Sequence, residues 1–108
     1  MKRIGQVCFI DGEENERLYA EYHEKIPEEI ARCIHDCNLR NYSIFIRDGM
    51  LFTYCEYIGS DYESDMKKIA ASADMQKWWG LVKPLMSPLK TRKKDEFWAD
   101  MQSIFYQD

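Results

Sequence analysis

Hydrophobic and polar residues alternate in two neighbouring segments of the chain, residues 39–46 (LRNYSIFI) and 51–57 (LFTYCEY). Alternation of this kind, rich in β-branched and aromatic residues, is typical of β-strands. The Asp-Gly pair of RDGM at 47–50 lies between them and indicates a hairpin turn. An earlier segment, residues 3–10 (RIGQVCFI), is apolar on both of its faces. We therefore predict a first strand covered on both sides, followed later by a β-hairpin.

Apolar residues spaced three or four apart predict a helical region between the first strand and the hairpin. Asp11 is expected to cap this helix, with Glu14 completing a capping box. The apolar face then runs from residue 18 to residue 37, but Pro27 interrupts it. The proline ring removes one backbone donor and crowds the carbonyl of His23, four residues earlier. We expect the helix to kink or restart at Pro27.

A second helical region follows the hairpin. SDYE at 60–63 repeats the capping-box pattern, and the apolar stripe that follows begins at Tyr62. Ser72 or Asp74 can cap a continuation that carries two adjacent tryptophans and ends near Pro84. The last apolar segment, MQSIFY at 101–106, predicts a closing strand.

The predicted order is β-α-β-β-α-β within a single domain, residues 1–108. This is the pattern of an α+β, ferredoxin-like sandwich, with one antiparallel sheet and its helices on one face. The second face of such a sheet is bare. Two copies can cover it by packing sheet to sheet, which gives a dimeric α/β-barrel, so we predict a symmetric homodimer.

Composition excludes several classes of partner. The chain has 108 residues and a formal net charge of −4, and no basic stretch is long enough to follow a nucleic-acid backbone. KTRKKDEFW at 90–98 is the most basic segment and is interpreted as a solvated loop. No apolar run is long enough to span a membrane. We predict a cytoplasmic protein whose four cysteines stay reduced.

Tyr19 and His23 are the first candidates for chemistry. They are four residues apart and share one helix face. An imidazole transfers protons near neutral pH, and a phenol beside it can hold a polar ligand. The alternative is a core histidine hydrogen-bonded to a backbone carbonyl.

Trp78 and Trp79 also allow two interpretations. Large aromatic side chains usually serve packing, but an adjacent pair can frame a cleft for a small ring. On the hairpin, Tyr42 points to the opposite face from Asn41. Glu56 on the same sheet either pairs with a histidine or meets Arg3 or Arg40 at the surface.

No metal or cofactor site is expected. Cys33, His35 and Cys37 lie close together, but on a helix the histidine points away from the two cysteines. No second Cys/His cluster completes a set of four ligands. No glycine-rich phosphate loop and no Gly-x-Ser-x-Gly elbow is present.

Taken together, four stretches of the chain resemble the L-rhamnose mutarotase family. They are YAEYHEKIPEEI (19–30), NYSIFI followed by LFTYCEY (41–57), QKWWGLVKPLM (76–86) and the terminal FYQD (105–108). The resemblance covers nearly the whole chain in the right order. It implies a dimeric ferredoxin-like protein that interconverts the α and β anomers of a 6-deoxy sugar without metal or cofactor.

The resemblance also implies roles for individual residues. His23 matches the family's proton donor, which on this interpretation supplies a proton to the ring oxygen of the sugar. The sugar-binding positions of the family match Tyr19, Tyr42, Trp78 and Trp79. The partner base is left open among water, a tyrosine and Glu56.

The chain departs from the family pattern at Ile26. The family commonly places a tryptophan just before the helix proline. One more residue separates that tryptophan from the histidine than separates Ile26 from His23 in this chain. The preferred sugar is therefore open between L-rhamnose and another 6-deoxy sugar such as L-fucose. Two other hypotheses are a cofactor-free dimeric α/β-barrel oxygenase, since fold alone does not decide chemistry, and a non-catalytic sugar-binding module.

Overall fold

A computed structural model describes all residues, 1–108. It contains five strands, four α-helices and one short 3₁₀ helix. In chain order the elements are β1 (Lys2–Ile10), α1 (Gly12–Glu24), α2 (Glu28–Asp36), β2 (Leu39–Arg47), β3 (Met50–Tyr57), α3 (Tyr62–Ala71), α4 (Ala73–Val82), the 3₁₀ helix (Lys83–Leu85), β4 (Met86–Ser87) and β5 (Ala99–Asp100). The predicted order is confirmed from β1 to α4, with each helical region divided in two.

The sheet is antiparallel and has the order β2-β3-β1-β4, with β5 also paired to β1. This is the strand order of a ferredoxin-like sandwich, in which β1 is central. The predicted hairpin between β2 and β3 is confirmed. Asp48 (φ 50°) and Gly49 (φ 74°) are both left-handed in its turn, as a two-residue type I′ turn requires.

The hydrophobic core lies between the helices and one face of the sheet. Its two clusters combine sheet residues such as Ile4 and Leu51 with helix residues such as Ile30 and Val82. The opposite face of the sheet, called the outer face below, carries no helix. Phe9 and Phe45 on this face are 42% and 64% exposed.

The interruption predicted at Pro27 is confirmed, because α1 ends at Glu24 and Pro27 occupies the N-cap of α2. The predicted capping box of Asp11 and Glu14 is wrong. Asp11 stands at the N-cap of α1, but its side chain makes no capping hydrogen bond. Gly12 adopts a left-handed conformation (φ 81°), so the chain does not enter the helix in the geometry that a capping box needs.

The two helices after the hairpin, α3 and α4, start at capping side chains, whereas α2 starts at Pro27 without one. The backbone N–H of Ser64 donates to the Asp61 carboxylate (3.1 Å) at the start of α3. The backbone N–H of Met75 donates to the Ser72 hydroxyl (3.2 Å) at the start of α4. Of the two caps predicted for the tryptophan-bearing helix, Ser72 and Asp74, the structure uses Ser72.

The closing strand predicted at 101–106 is wrong. Two short strands, β4 and β5, pair with β1 instead, and the last backbone hydrogen bond to β1 runs from the N–H of Met101 to the carbonyl of Gly5 (2.8 Å). Strand propensity reflects packing on a neighbouring strand, and the residues after Met101 make no backbone hydrogen bonds to one. Ile104 and Phe105 are 90% and 78% exposed.

The basic segment at 90–98 is only partly a solvated loop. Residues 90–94 are exposed, whereas Phe97 and Trp98 turn back and pack against the core. None of the helices combines the length and apolar composition that crossing a lipid bilayer requires. All four cysteines are unpaired thiols.

Candidate active site

A cavity of about 900 Å³ opens between the helices and the inner face of the sheet, and most of its lining is apolar. Five residues singled out from the sequence line it together: Tyr19, His23, Tyr42, Trp78 and Trp79. They come from three different elements, α1, β2 and α4. A mostly apolar cavity with a few converging polar groups is the usual form of a small-molecule site.

His23 lies in the last turn of α1 and is half-buried. Its Nδ1 is 2.7 Å from the backbone carbonyl oxygen of Tyr19. A carbonyl only accepts hydrogen bonds, so Nδ1 carries the hydrogen and donates it. In the neutral ring Nε2 is therefore the unprotonated nitrogen, and it is the atom available to a ligand.

Aromatic rings fix the plane of the imidazole. The Tyr19 ring stacks on it with centroids 4.3 Å apart, and the Trp78 indole meets it edge-on at 5.2 Å. Burial lowers the pKa of His23 below its ordinary value of 6.5, and the Tyr19 carbonyl only partly offsets this effect. The residue is thus both a histidine bonded to a backbone carbonyl and a cavity-lining base that is neutral at pH 7.

The two tyrosines bring hydroxyl groups to the cavity. Tyr19 is buried and Tyr42 is 40% exposed as a whole residue. Burial raises the pKa of both phenols above the ordinary value, and no hydrogen bond within the chain contributes to either shift. Both hydroxyls therefore keep their protons at neutral pH and are free to donate to or accept from a ligand.

Trp78 and Trp79 combine the two functions between which the sequence left a choice. Each indole lines the cavity, and each also packs against both core clusters. The Lys83 ammonium lies 4.2 Å from the centroid of the Trp79 ring and 4.7 Å from that of Phe97. The pair is therefore the shared wall between the core and the cavity.

Several lining residues were not expected from the sequence. Lys83, Phe97 and Trp98 line the cavity, although Phe97 and Trp98 fall in the segment predicted to be solvated. The sequence did contain a signal for this position. Phe97 and Trp98 directly follow the charged residues, and two adjacent aromatic side chains are not expected in a fully solvated loop. Ile26, where the family commonly has a tryptophan nearby, also lines the cavity.

Glu56 lies outside this site. It is on the outer face, where it accepts hydrogen bonds from the Tyr54 hydroxyl (2.7 Å) and the Asn41 amide (2.9 Å). These two hydrogen bonds, the one from Tyr54 first, lower the pKa of its carboxyl group. Arg3 and Arg40 stand opposite it on the neighbouring strands. The hypothesis that Glu56 serves as the partner base is therefore wrong, since the sheet separates it from His23.

No group of three or more His, Cys, Asp or Glu side chains lies together in a metal-binding arrangement. His35 is exposed and contacts only its neighbour Asp36 among the acidic residues, at 3.7 Å. The groups that line the cavity, a neutral imidazole beside hydroxyl groups and aromatic faces, are suited to proton transfer.

Comparison with known proteins gives a consistent result. A family model described as L-rhamnose mutarotase matches residues 3–107. The L-rhamnose mutarotase of Bacillus subtilis (strain 168) is 32% identical over 111 residues, and that of Oceanobacillus iheyensis is 30% identical over 111 residues. Both alignments cover 100% of each chain.

A solved structure also matches the fold. The crystal structure of an L-rhamnose mutarotase from Formosa agariphila superposes with a TM-score of 0.76 and covers 100% of both chains, at 20% sequence identity. The α+β fold class predicted from the sequence is confirmed by this match.

The state of His23 is directly measurable. We expect ¹⁵N NMR at pH 7 to show hydrogen on Nδ1 and none on Nε2, with a titration midpoint below 6.5 because burial disfavours the imidazolium. The signal that disappears in His23→Gln assigns the resonance. Hydrogen on Nε2 of the neutral ring, or a midpoint above 6.5, would contradict this description.

Proposed function

Because the chain belongs to the L-rhamnose mutarotase family, we propose that it interconverts the α and β anomers of L-rhamnose in this cavity, with His23 as the proton-transfer residue. The observation that carries the proposal is the free Nε2 of His23 in an indole-lined cavity, with its tautomer set by the Tyr19 carbonyl.

The tautomer sets the order of proton transfers. Neutral His23 has no hydrogen on Nε2, so it first accepts the proton of the anomeric hydroxyl. The bond between C1 and the ring oxygen then breaks, and that oxygen takes a proton from a cavity tyrosine or water. The sequence resemblance suggested instead that His23 begins by protonating the ring oxygen.

Ring closure reverses these transfers on the other face of the aldehyde. The open-chain aldehyde rotates about its bond to C2, and the former ring oxygen attacks C1 and returns its proton. His23, now an imidazolium, donates its Nε2 proton to the carbonyl oxygen, which becomes the new anomeric hydroxyl. His23 is thus the proton donor of the closing step, and no atom or electron is gained or lost over the cycle.

The remaining residues hold the sugar during this cycle. In our proposal the hydroxyls of Tyr19 and Tyr42 bind sugar hydroxyls, and the indoles of Trp78 and Trp79 contact the apolar C–H face and the C6 methyl group. The side chain of Ile26 is smaller than that of a tryptophan, so it leaves more space in the cavity. Preference among L-rhamnose, L-fucose and related sugars is decided at this part of the wall.

We further propose that two copies pack through their outer faces. This face carries no helix and exposes apolar side chains beside polar ones such as Arg3 and Glu56. Its apolar side chains include Val7, Phe9, Phe45 and Phe52. Ile104 and Phe105 of the C-terminal segment add exposed apolar surface. A large exposed apolar surface of this kind indicates an interface.

The first experiment measures anomer exchange. Saturation-transfer NMR of L-rhamnose should show faster exchange between the α and β signals when the protein is added. His23→Ala should slow the catalysed exchange by about 10²- to 10⁴-fold, the usual contribution of a positioned acid–base group. The same exchange measurement with L-fucose tests which of the two sugars the protein prefers. Sugar binding without exchange would support a binding module, and no sugar binding would remove the proposal.

The pH dependence of exchange tests the order of proton transfer. The pKa of His23 in the folded protein lies below 6.5, so the neutral base is lost as the pH falls through that lower value. After subtraction of the uncatalysed rate, kcat/KM should rise with pH and level off by about pH 7. An activity that falls as the pH rises through the imidazole pKa would show that the imidazolium is the starting form.

The dimer is tested at Phe45. Sedimentation of the wild-type chain should give the mass of two copies, and Phe45→Glu should give one, because a carboxylate would be buried in the apolar interface. Leu81→Glu is the matched control. Leu81, like Phe45, is a large exposed apolar residue (45% exposed), but it lies on α4 and not on the outer face. A monomeric wild-type protein would refute this part of the proposal.

A further inference from the structure

The β2–β3 pairing contains an irregularity beside the cavity. Arg40 stands opposite Glu56, and Ser43 stands opposite Tyr54. Two residues of β2, Asn41 and Tyr42, therefore face the single intervening residue of β3. This is a β-bulge with one extra residue.

The bulge decides which face Tyr42 occupies. Leu39 is buried in the core and Arg40 pairs on the outer side, so strict alternation would turn Asn41 inward and Tyr42 outward. Asn41 instead adopts a left-handed conformation (φ 53°), and its amide turns to the outer face. The alternation then resumes one residue later, with Tyr42 and Ile44 lining the cavity.

Hydrogen bonds on the outer face hold this conformation. The Asn41 amide donates to Oε1 of Glu56 (2.9 Å), and the Tyr54 hydroxyl donates to Oε2 of the same carboxylate (2.7 Å). The Ser43 hydroxyl donates to the Asn41 carbonyl (3.1 Å). Asparagine also tolerates the left-handed region better than most residues do. The carboxylate thus holds the amide of the extra residue, Asn41, at the outer face, while Asn41 as a whole also borders the cavity.

We propose that Asn41 and Glu56 are positioning residues, which hold the bulge that directs the Tyr42 phenol into the cavity. Neither residue exchanges a proton with the sugar or is needed as a base. The kinetic part of this inference rests on the proposed function, because it assumes that Tyr42 binds the sugar. The geometric part, the placement of Tyr42, does not.

The test compares substitutions that keep or disfavour the left-handed conformation at residue 41. Asn41→Gly keeps it, because glycine adopts positive φ freely, whereas Asn41→Val disfavours it strongly. Glu56→Ala removes the anchor without touching β2. Tyr42→Phe is the reference for loss of the Tyr42 hydroxyl. Arg47→Val is the control for valine itself, because it places a valine on the same strand and face at a position where the pairing is regular.

We expect Tyr42→Phe to raise the KM for L-rhamnose by about 3- to 10-fold, the range of one hydrogen bond. Asn41→Val and Glu56→Ala should raise it to a similar level with a smaller change in kcat. Asn41→Gly loses the hydrogen bond to Glu56 but keeps the left-handed conformation, so it should raise KM less than Asn41→Val does. Arg47→Val should stay within about 2-fold of wild type. Adding Asn41→Val to Tyr42→Phe should cause no further rise, because both changes remove the same contact.

Some outcomes would overturn the inference. One is a normal KM in Asn41→Val and Glu56→Ala with only a lower melting temperature, which would make the bulge a stability feature. Another is a full additional loss when Asn41→Val is combined with Tyr42→Phe. If Asn41→Val does not fold, Glu56→Ala carries the same comparison.

A readout without sugar separates this inference from the proposed function. Ring NMR signals of Tyr42, or crystal structures, should show the phenol displaced from the cavity in Asn41→Val and Glu56→Ala, and displaced less in Asn41→Gly. If wild-type protein does not exchange L-rhamnose anomers, the proposed function fails while this placement test still decides the inference. An undisplaced phenol in both variants would refute it.

Discussion

The hydrogen bond from Nδ1 of His23 to the Tyr19 carbonyl is the contact on which the proposed chemistry depends. It assigns the hydrogen to one ring nitrogen and leaves the other as a base. The bond forms because α1 places residues 19 and 23 one turn apart, and the Tyr19 and Trp78 rings keep the imidazole in that plane. Pro27 ends the regular helix shortly afterwards, so the histidine stands at a helix end beside open space.

The core and the cavity share their walls. Trp78 and Trp79 contact both hydrophobic clusters and the cavity, and the helix that bears them starts at the Ser72 cap. The indoles are therefore held by the same packing that stabilises the domain. An aromatic wall fixed in this way needs little rearrangement to receive a sugar, since its side chains are already ordered.

Local patterns predicted the elements well and their long-range relations less well. The hairpin followed from alternation and the Asp-Gly turn, and the helix interruption followed from Pro27, because each is decided within a few residues. The closing strand at 101–106 failed, because pairing depends on which strand edge is free. Resemblance to a family, rather than spacing, suggested the site residues that the fold brings together. The bulge at Asn41 and the outward position of Glu56 become visible only when β2 and β3 are aligned.

The lining of the cavity consists of two kinds of position. The tryptophans also belong to the core, whereas Ile26 is 37% exposed and lies in the connection between α1 and α2. Divergence of sugar preference during evolution is easiest where a substitution leaves folding intact. Residue 26 lies outside both core clusters, so we expect substitutions there to change sugar preference with little effect on the packing that holds the domain together.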